Sequence, residues 1–288
     1  MRRLVLLLAL GLTLAPAACG GGDEAPPGEA EAPDSAVLAA ATATERADSY
    51  RADMTIRMEG LAAEPVTMSA EGIFQRRPIL GRMTMDMSDL GAAAGGGGLG
   101  EVDIVMDGLV FYMRMPFLRQ LDPSLKPWIR FDLAEIGKQQ GFDLGQLMQF
   151  GTQTDPAQAL AYLRAASDDV ETVGSEEVRG VETTRYRMTV ELARVPDAAP
   201  PGQREALRAQ VQQLRELSGI DEVPTDVWVD EDGLVRRQRL LYRDMRLAPG
   251  REGDMTMTME LYDFGVDVDV EPPPAGQVTD IATLLERG

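Results

Sequence analysis

The chain has 288 residues and a formal net charge of −19, with one cysteine and no histidine. An acidic surface of this size repels nucleic acid and anionic lipid headgroups, which argues against DNA or RNA as a partner. Because the Ser-His and Cys-His pairs of nucleophilic catalysis need a histidine, the composition excludes them, and we expect no enzyme activity and no cofactor.

The first nineteen residues divide into a cationic start, an apolar stretch and a cysteine. Arg2 and Arg3 precede residues 4–14, which are apolar but too few to span a bilayer as a permanent helix. Small residues then lead to Cys19, which has no disulfide partner in its own chain. This layout is typical of a bacterial lipoprotein signal, although Pro16 stands where such signals usually have Leu, Val or Ile. An ordinary secretory signal with an incidental cysteine is the alternative.

The signal predicts how the protein is held in the cell. We expect a signal peptide at residues 1–18 and acyl chains, palmitate among them, on Cys19, which would anchor the chain at the extracytoplasmic face of the cell membrane. Residues 19–35 have almost no bulky apolar side chain and predict a disordered acidic tether with a root-mean-square reach of about 20 Å. Residues 36–288 are predicted to form a single domain.

The folded body is predicted to begin with a helix at about residues 36–49, capped by Asp34 or Ser35. The hydrophobic period then changes to two, which is typical of antiparallel strands with one apolar and one charged face. Residues 91–100, rich in Ala and Gly, are predicted to be a long hairpin loop. The predicted strands are residues 50–59, 66–74, 79–87, 102–106, 109–115, 170–178, 184–192, 226–230, 234–242 and 255–264.

Helical patterns interrupt the strands at residues 133–138, 144–150, 154–166 and 201–217. The third of these begins at Thr154-Asp155-Pro156, which combines a capping side chain with proline at the first helical position. A long antiparallel sheet with a few grouped helices predicts an α+β fold, with helices packed on one face of a curved sheet.

Four short strings of the sequence resemble one family. They are Ser49-Tyr50-Arg51-Ala52, Lys126-Pro127-Trp128-Ile129, Val227-Trp228-Val229-Asp230 and Tyr262-Asp263-Phe264-Gly265. Together with the order of the elements they resemble the LppX/LprAFG lipoproteins of actinobacteria, which are related in fold to the LolA and LolB lipoprotein carriers. The resemblance covers about residues 36–284. It implies a half-open antiparallel sheet, or unclosed barrel, with helices on its concave face around an apolar cavity for acylated lipids. Separately, we expect a monomer, with an envelope transporter as a further partner.

Methionine provides the argument for such a cavity from the residues themselves. Several of the sixteen methionines recur at every second position of predicted strands. Methionine is unbranched and fills irregular apolar space, and each buried lipid methylene contributes about 0.8 kcal/mol. The predicted cavity residues are Met54, Met58, Met68, Met83, Met85, Met87, Phe111, Met113, Leu144, Leu147, Met148, Leu160, Leu163, Met188 and Met257.

Other interpretations of the same residues stay open. The methionines could simply pack the sheet against the helices, or their thioethers could bind Cu(I), although copper sites usually add a histidine. Trp128 and Trp228 are predicted to be core anchors, and the run from Asp230 to Gly233 a solvated hairpin turn rather than a calcium loop.

The sequence therefore predicts an extracytoplasmic lipoprotein that binds acylated envelope lipids and carries or presents them. The alternative is an envelope sensor or scaffold that binds a protein partner and has a filled core without lipid cargo.

Overall fold

Strands with alternating apolar and polar side chains dominate the structure. The computed structural model describes residues 32–93, 99–135, 170–198, 204–248 and 250–281, which lie in a compact unit that begins at Ala32. The strands are β1 (Ser49–Met58), β2 (Val66–Gln75), β3 (Leu80–Asp86), β4 (Glu101–Asp107), β5 (Val110–Arg114), β6 (Trp128–Asp132), β7 (Glu171–Val178), β8 (Val181–Glu191), β9 (Glu222–Asp230), β10 (Val235–Ala248), β11 (Arg251–Tyr262) and β12 (Val278–Asp280). The described helices are α1 (Pro33–Arg46), α2 (Ser88–Ala93), α3 (Leu118–Leu121), α4 (Val195–Ala198) and α5 (Arg204–Ser218), with 3-10 turns at Leu192–Arg194 and Ala275–Gln277.

All twelve strands belong to one open sheet in the order β12-β6-β5-β4-β3-β2-β1-β11-β10-β9-β8-β7. Two antiparallel meanders, β1 to β6 and β7 to β11, are joined where β1 pairs with β11. The short β12 is parallel to β6. Among the described residues, β12 and β7 are the edge strands and do not pair with each other, so the sheet is not closed into a barrel. The predicted α+β class with an unclosed antiparallel sheet is confirmed.

The two faces of the sheet differ in chemistry. On the apolar face, Met54 lies between Met259 of β11 and Ala70 of β2. On the polar face, the neighbouring Asp53 lies between Glu260 and Glu71. Because side chains alternate along a strand, the period of two in the sequence becomes one apolar surface and one charged surface. We name the two ends of the sheet after β9, which runs from the Glu222 end to the Asp230 end.

Helix α1 covers part of the apolar face at strands β8 to β10. Val37 and Ala40 are buried in a cluster with Met188, Val227 and Val229. The Thr44 hydroxyl accepts a hydrogen bond of 2.8 Å from the backbone N–H of Val235 and so fixes the C-terminal end of the helix at the start of β10.

The helix begins three residues earlier than predicted, at Pro33, inside the expected tether. Proline suits this position because it has no N–H to satisfy and its φ is already helical. Asp34 and Ser35 are therefore in the first turn, and no side chain caps the helix at Ala32.

The Ala/Gly run is not wholly a loop, because α2 extends to Ala93. The Asp86 carboxylate accepts hydrogen bonds from the Ser88 hydroxyl (2.6 Å) and backbone N–H (2.9 Å), and the hydroxyl bond is the main reason why the pKa of Asp86 is lowered. The N–H of Gly91 then donates to the carbonyl of Met87. A side chain at the end of β3 thus starts a helical turn where the composition predicts a hairpin loop.

Strands β6 and β12 are not among the predicted strands. The strand β6 is only five residues long, and its place depends on its pairing with β5, in which Ile129 lies opposite Met113. Strand β12 follows a run of three prolines and has three residues. Predicted helix 201–217 corresponds to α5, and residues 133–135 are helical. The helices predicted at 144–150 and 154–166 lie outside the described residues.

Trp228 is buried, as predicted for an anchor residue, but it lies on the polar face of the sheet and not in the apolar core. Its side chain is less than 2% exposed. The indole N–H donates to Glu176 of β7 at 2.8 Å, and guanidinium groups of Arg185, Arg237 and Arg239 lie 5.0, 5.3 and 5.5 Å from the ring centre. Cation–π contacts of this kind stabilise a charged layer over an aromatic ring.

Two of the arginines around Trp228, Arg185 and Arg239, share the carboxylate of Asp226, whose side chain is 10% exposed. Arg185, Arg187 and Arg239 each donate to it, at 3.0, 3.0 and 2.6 Å. Burial alone would raise the pKa of the Asp226 carboxyl, but the hydrogen bonds from these arginines outweigh it and hold that pKa below its usual range.

The β9–β10 turn is formed as predicted, but its first residue is not solvated. The Asp230 side chain is 1% exposed and accepts hydrogen bonds from the N–H of Leu234 (2.8 Å) and from Arg236 (2.5 Å). Asp230 therefore closes the turn and neutralises an arginine.

Replacing Gly253 by alanine should destabilise the junction of β1 and β11. A Cβ at Gly253 would lie 1.9 Å from the carbonyl oxygen of Glu59, whose N–H donates to Asp254 at 2.8 Å. We expect Gly253→Ala to lower the free energy of unfolding by about 2 kcal/mol, measured by urea denaturation. Gly276→Ala is the control, since nothing lies within 4 Å of a Cβ there. Equal stability of the two variants would contradict the close approach.

Replacing Asp226 by asparagine should make stability less sensitive to acid. With its pKa depressed in the folded state, Asp226 stabilises the fold above its unfolded pKa of about 3.9, and this stabilisation is lost as pH falls through the lower folded pKa. We expect Asp226→Asn to reduce the free energy of unfolding by about 2 kcal/mol at neutral pH, because charge-assisted hydrogen bonds are lost. The difference from wild type should shrink below about pH 3.

Asp263→Asn provides the comparison for that measurement. Asp263 pairs with Arg51 at 3.4 Å with both side chains largely exposed, so its replacement should change stability by no more than about 0.5 kcal/mol. If the free energies of unfolding of wild type and Asp226→Asn differed by a constant amount down to pH 2, the Asp226 carboxylate would not contribute to the acid sensitivity of the fold.

Candidate functional site

The apolar face carries an unbroken row of uncharged side chains across seven strands. In register, from β11 to β6, the row contains Leu261, Ala52, Gly72, Met83, Ile104, Met113 and Ile129. At a strand spacing of about 4.8 Å the row is about 29 Å wide, which is close to the thickness of the hydrocarbon core of a bilayer. Among the described residues, this row crosses seven neighbouring strands without a charged side chain.

Two further rows extend this surface toward the Glu222 end of the sheet. One places Met259, Met54, Ala70, Met85 and Val102 side by side. In the next, Met257 lies opposite Ile56 and Leu240. Methionine side chains therefore meet across strands as well as along them.

The methionines of these rows are neither sealed in a core nor freely exposed, whereas Ala52, Ile129 and Leu261 of the main row are buried. Met54, Met83, Met85, Met113 and Met257 are half-buried. The face changes character under α1, where Met188 is only 3% exposed. The same surface thus contains a packed region under α1 and a half-buried, methionine-rich region on β11 and β1 to β6.

An aromatic group closes the methionine-rich region at the Asp230 end. The rings of Tyr50 and Phe74 stack at 5.5 Å, and Phe264 lies 6.4 Å from Tyr50. Gly72 makes room for this group, because a Cβ there would lie 2.8 Å from the Phe74 ring. The apolar face therefore ends in aromatic rings at the Asp230 end, and it continues as adaptable methionine side chains toward the Glu222 end.

The structure places most of the predicted cavity residues on the apolar face, while Met188 fills the core under α1. Met87 lies one residue beyond β3, where its N–H donates to the Gly100 carbonyl at 3.0 Å. Predicted residues on the face are Met54, Met58, Met68, Met83, Met85, Phe111, Met113, Met188 and Met257. Cys19, Leu144, Leu147, Met148, Leu160 and Leu163 lie outside the described residues.

Sequence reasoning did not include several residues of the face in the predicted site. Ile104 and Ile129 lie on either side of Met113, and Phe131 lies opposite Phe111. The alternation of Ile129, Arg130 and Phe131 was the available signal, but a five-residue strand gives too few repeats to assign it.

Trp128 lies on the polar face, half-buried, and not in the core as predicted. It lines a groove with Arg82, Asp103, Arg114 and Glu271, which lies in the segment that follows β11. Arg114 lies over the indole at 5.8 Å and also pairs with Asp103. The groove is charged and lies on the opposite side of the sheet from the methionines.

No family model matches the chain. It is 31% identical over 205 residues to an uncharacterized 31.2 kDa protein of Streptomyces griseus, which covers 70% of this chain and 63% of that protein. It is 27% identical over 161 residues to a candidate lipoprotein of Streptomyces coelicolor, covering 55% of this chain and 44% of that protein. The chain thus spans less than two thirds of the length of both relatives.

Solved structures similar to the chain include two mycobacterial proteins. The lipoprotein LppX of Mycobacterium tuberculosis aligns with 83% of this chain and 98% of its own, at 14% identity and a TM-score of 0.47. LprF of Mycobacterium bovis aligns with 84% of this chain and 97% of its own, at 13% identity and a TM-score of 0.48. These are the kinds of protein that the sequence resemblance names.

Within the described ranges, no helix is both long and apolar enough to cross a membrane.

Proposed function

We propose that this chain, which is similar to lipoproteins of the LppX/LprAFG type, is a membrane-anchored extracytoplasmic protein that binds acylated envelope lipids and carries or presents them. The observation that carries the proposal is the charge-free row across seven strands, from Leu261 to Ile129. Acyl chains are the ligands that fit such a surface, because they need apolar contact and make no hydrogen bonds.

The energetics require a wide apolar surface. A lipid that leaves a bilayer loses about 0.8 kcal/mol for each methylene that is no longer buried, so a carrier must bury most of the chain to bind it. A row about 29 Å wide provides contact along a whole acyl chain. The unbranched methionines adapt to chains of different length, which suits a binding surface that must also exist without cargo.

The polar face, on the opposite side of the sheet, has a different role. Arginine and carboxylate pairs such as Arg239 with Asp226 cover it and keep the protein soluble around its apolar face. The lipid headgroup would then stay at the rim of the apolar face, where polar side chains and water are available. The acyl anchor on Cys19 would keep this binding surface within reach of the membrane lipids.

The first experiment is native mass spectrometry of the chain from residue 20, produced without detergent. We expect acylated lipid in stoichiometric amount that leaves on denaturation and can be identified after solvent extraction. A clean apo mass that incubation with envelope lipids does not change would contradict lipid binding. It would favour a sensor or scaffold that binds a protein partner.

A charge on the apolar face should abolish lipid binding, whereas the same charge on the next residue should not. Met257 lies between Ile56 and Leu240 on the apolar face, and Thr258 lies between Thr55 and Arg239 on the polar face. We expect Met257→Glu to weaken lipid binding about 100-fold, since a carboxylate in hydrocarbon costs about 2.5–3.5 kcal/mol. Thr258→Glu, beside Arg239, should keep wild-type binding.

The readout for this pair is lipid occupancy by native mass spectrometry, with circular dichroism melting as the check on folding. Met257→Leu adds a variant that keeps the apolar contact and should retain its lipid. Equal lipid occupancy in Met257→Glu and Thr258→Glu would show that cargo does not contact this face.

Removing the proposed anchor should release the protein from the membrane. The acidic chain, with its net charge of −19, is repelled by anionic headgroups, so attachment depends on the acyl chains. We expect wild type in the membrane fraction of a producing actinobacterium and Cys19→Ser in the soluble fraction, measured by immunoblotting. A Cys19→Ser protein that stays with the membrane would contradict lipid anchoring at this residue.

A further inference from the structure

Two large apolar side chains on α5 are exposed. Leu214 is 50% and Leu217 is 68% exposed. They continue a stripe that begins with Leu207 and Val211, where the helix packs on α4 and the preceding 3-10 turn. Leu214 and Leu217, at the C-terminal end of the stripe, therefore lie outside the region where Leu207 and Val211 pack.

Helix α5 lies at the Glu222 end of the sheet. It belongs to the connection between the end of β8 at Glu191 and the start of β9 at Glu222. Its last turn is held there because the Arg246 guanidinium donates to the Glu216 carbonyl at 2.5 Å and Arg215 pairs with Asp221.

The chain also enters the folded unit toward the Glu222 end. The C-terminal end of α1 is fixed at the Asp230 end by the bond between Thr44 and Val235. The fourteen residues of α1 make a helix about 21 Å long that contacts β9 and β10. Val37 lies in the cluster with Met188, which pairs with Thr225 near the start of β9, so Pro33 is directed toward the Glu222 end.

From these positions we propose that the exposed leucines of α5 rest in the headgroup region of the bilayer that holds the anchor, an inference that rests on the proposed acylation of Cys19. Only thirteen residues, 20–32, separate Cys19 from Pro33, and a random-coil chain of that length has a root-mean-square reach of about 20 Å. So short a connection would keep the end of the sheet that carries Pro33 near the membrane.

The charge of α5 fits an anionic surface better than the rest of the chain does. The helix has three arginines and two glutamates, whereas the whole chain has a net charge of −19. A short helix with exposed leucines beside arginines is the kind of element that lies in the interface plane. Docking there would also turn the Met58 and Met255 end of the apolar face toward the lipids.

The test uses the full, lipidated protein reconstituted in vesicles of phosphatidylcholine and phosphatidylglycerol. A lipidated Cys19 has a thioether and no free thiol, so Leu217→Cys offers a single site for an environment-sensitive fluorophore. The control is Glu231→Cys, in the exposed β9–β10 turn at the Asp230 end, about 30 Å away along β9. Lipids with a nitroxide on the acyl chain serve as the quencher.

We expect the nitroxide lipids to quench the fluorophore at position 217 and to leave that at position 231 unchanged. Adding Leu214→Glu to the Leu217→Cys protein should abolish the quenching, because a carboxylate does not enter the interface. Circular dichroism of each protein checks its folding.

Other outcomes overturn the inference. Emission at 217 that nitroxide lipids do not quench would place α5 in water or, if an aqueous quencher also fails to reach it, against a protein or a second copy. Equal quenching at both positions would mean that the sheet does not stand with its Glu222 end on the membrane. A second reactive thiol would instead show that Cys19 is unmodified, which is a failure of the proposed anchor and not of the docking surface.

Discussion

The antiparallel pairing of β1 with β11 holds the two halves of the molecule together. It joins the first strand of one meander to the last long strand of the other, and every other long-strand pairing in the described sheet is between strands adjacent in sequence. Closing so long a segment of chain has an entropic cost that local pairings do not have. The junction depends on an approach of Gly253 to Glu59 that no side chain at position 253 would allow. This pairing brings Met54 and Met58 beside Met259 and Met255, and so joins the methionines of β11 to those of the first meander.

The alternation of side chains lets one sheet serve two chemistries. The polar face uses arginine, whose planar guanidinium can both stack on Trp228 and bind a shared carboxylate such as Asp226. These pairs include Arg179 of the β7–β8 turn, which bonds to Asp53 of β1 and Glu260 of β11 and lies 4.0 Å from the Tyr262 ring. The tip of that hairpin therefore curls over the polar face. The apolar face is left free of such charges along its main row.

The two proposals assign different tasks to the two ends of the sheet. At the Asp230 end, turns and aromatic rings such as Tyr50 and Phe74 are tightly packed. At the Glu222 end are the exposed leucines of α5 and the methionines that pair across β1 and β11. In these proposals the Glu222 end, where methionine side chains can adapt to a ligand, is the end that exchanges lipid with the membrane.

The sequence by itself determined the local structure of this protein. The period of two predicts most strands to within a few residues, and it predicts that Met83 and Met85, or Met255 and Met257, share a face. The signal-like start, the lone Cys19 and the absence of histidine define the anchoring and enzyme hypotheses. These features can be predicted from sequence because each depends only on the alternation of side chains, or on the composition, within one segment of the chain.

Only the tertiary structure decided which strands are neighbours. The alternation along a strand shows on which face of the sheet a side chain lies. It does not show which strand lies next to it, since backbone hydrogen bonds are the same for every pair of strands. Hence the row from Leu261 to Ile129, the short strands β6 and β12, and the placement of Trp128 on the polar face could not be predicted from the chain alone. The same holds for α5 and the start of α1, which are far apart in sequence and lie toward the same end of the sheet because β8, β9 and β10 are paired with one another.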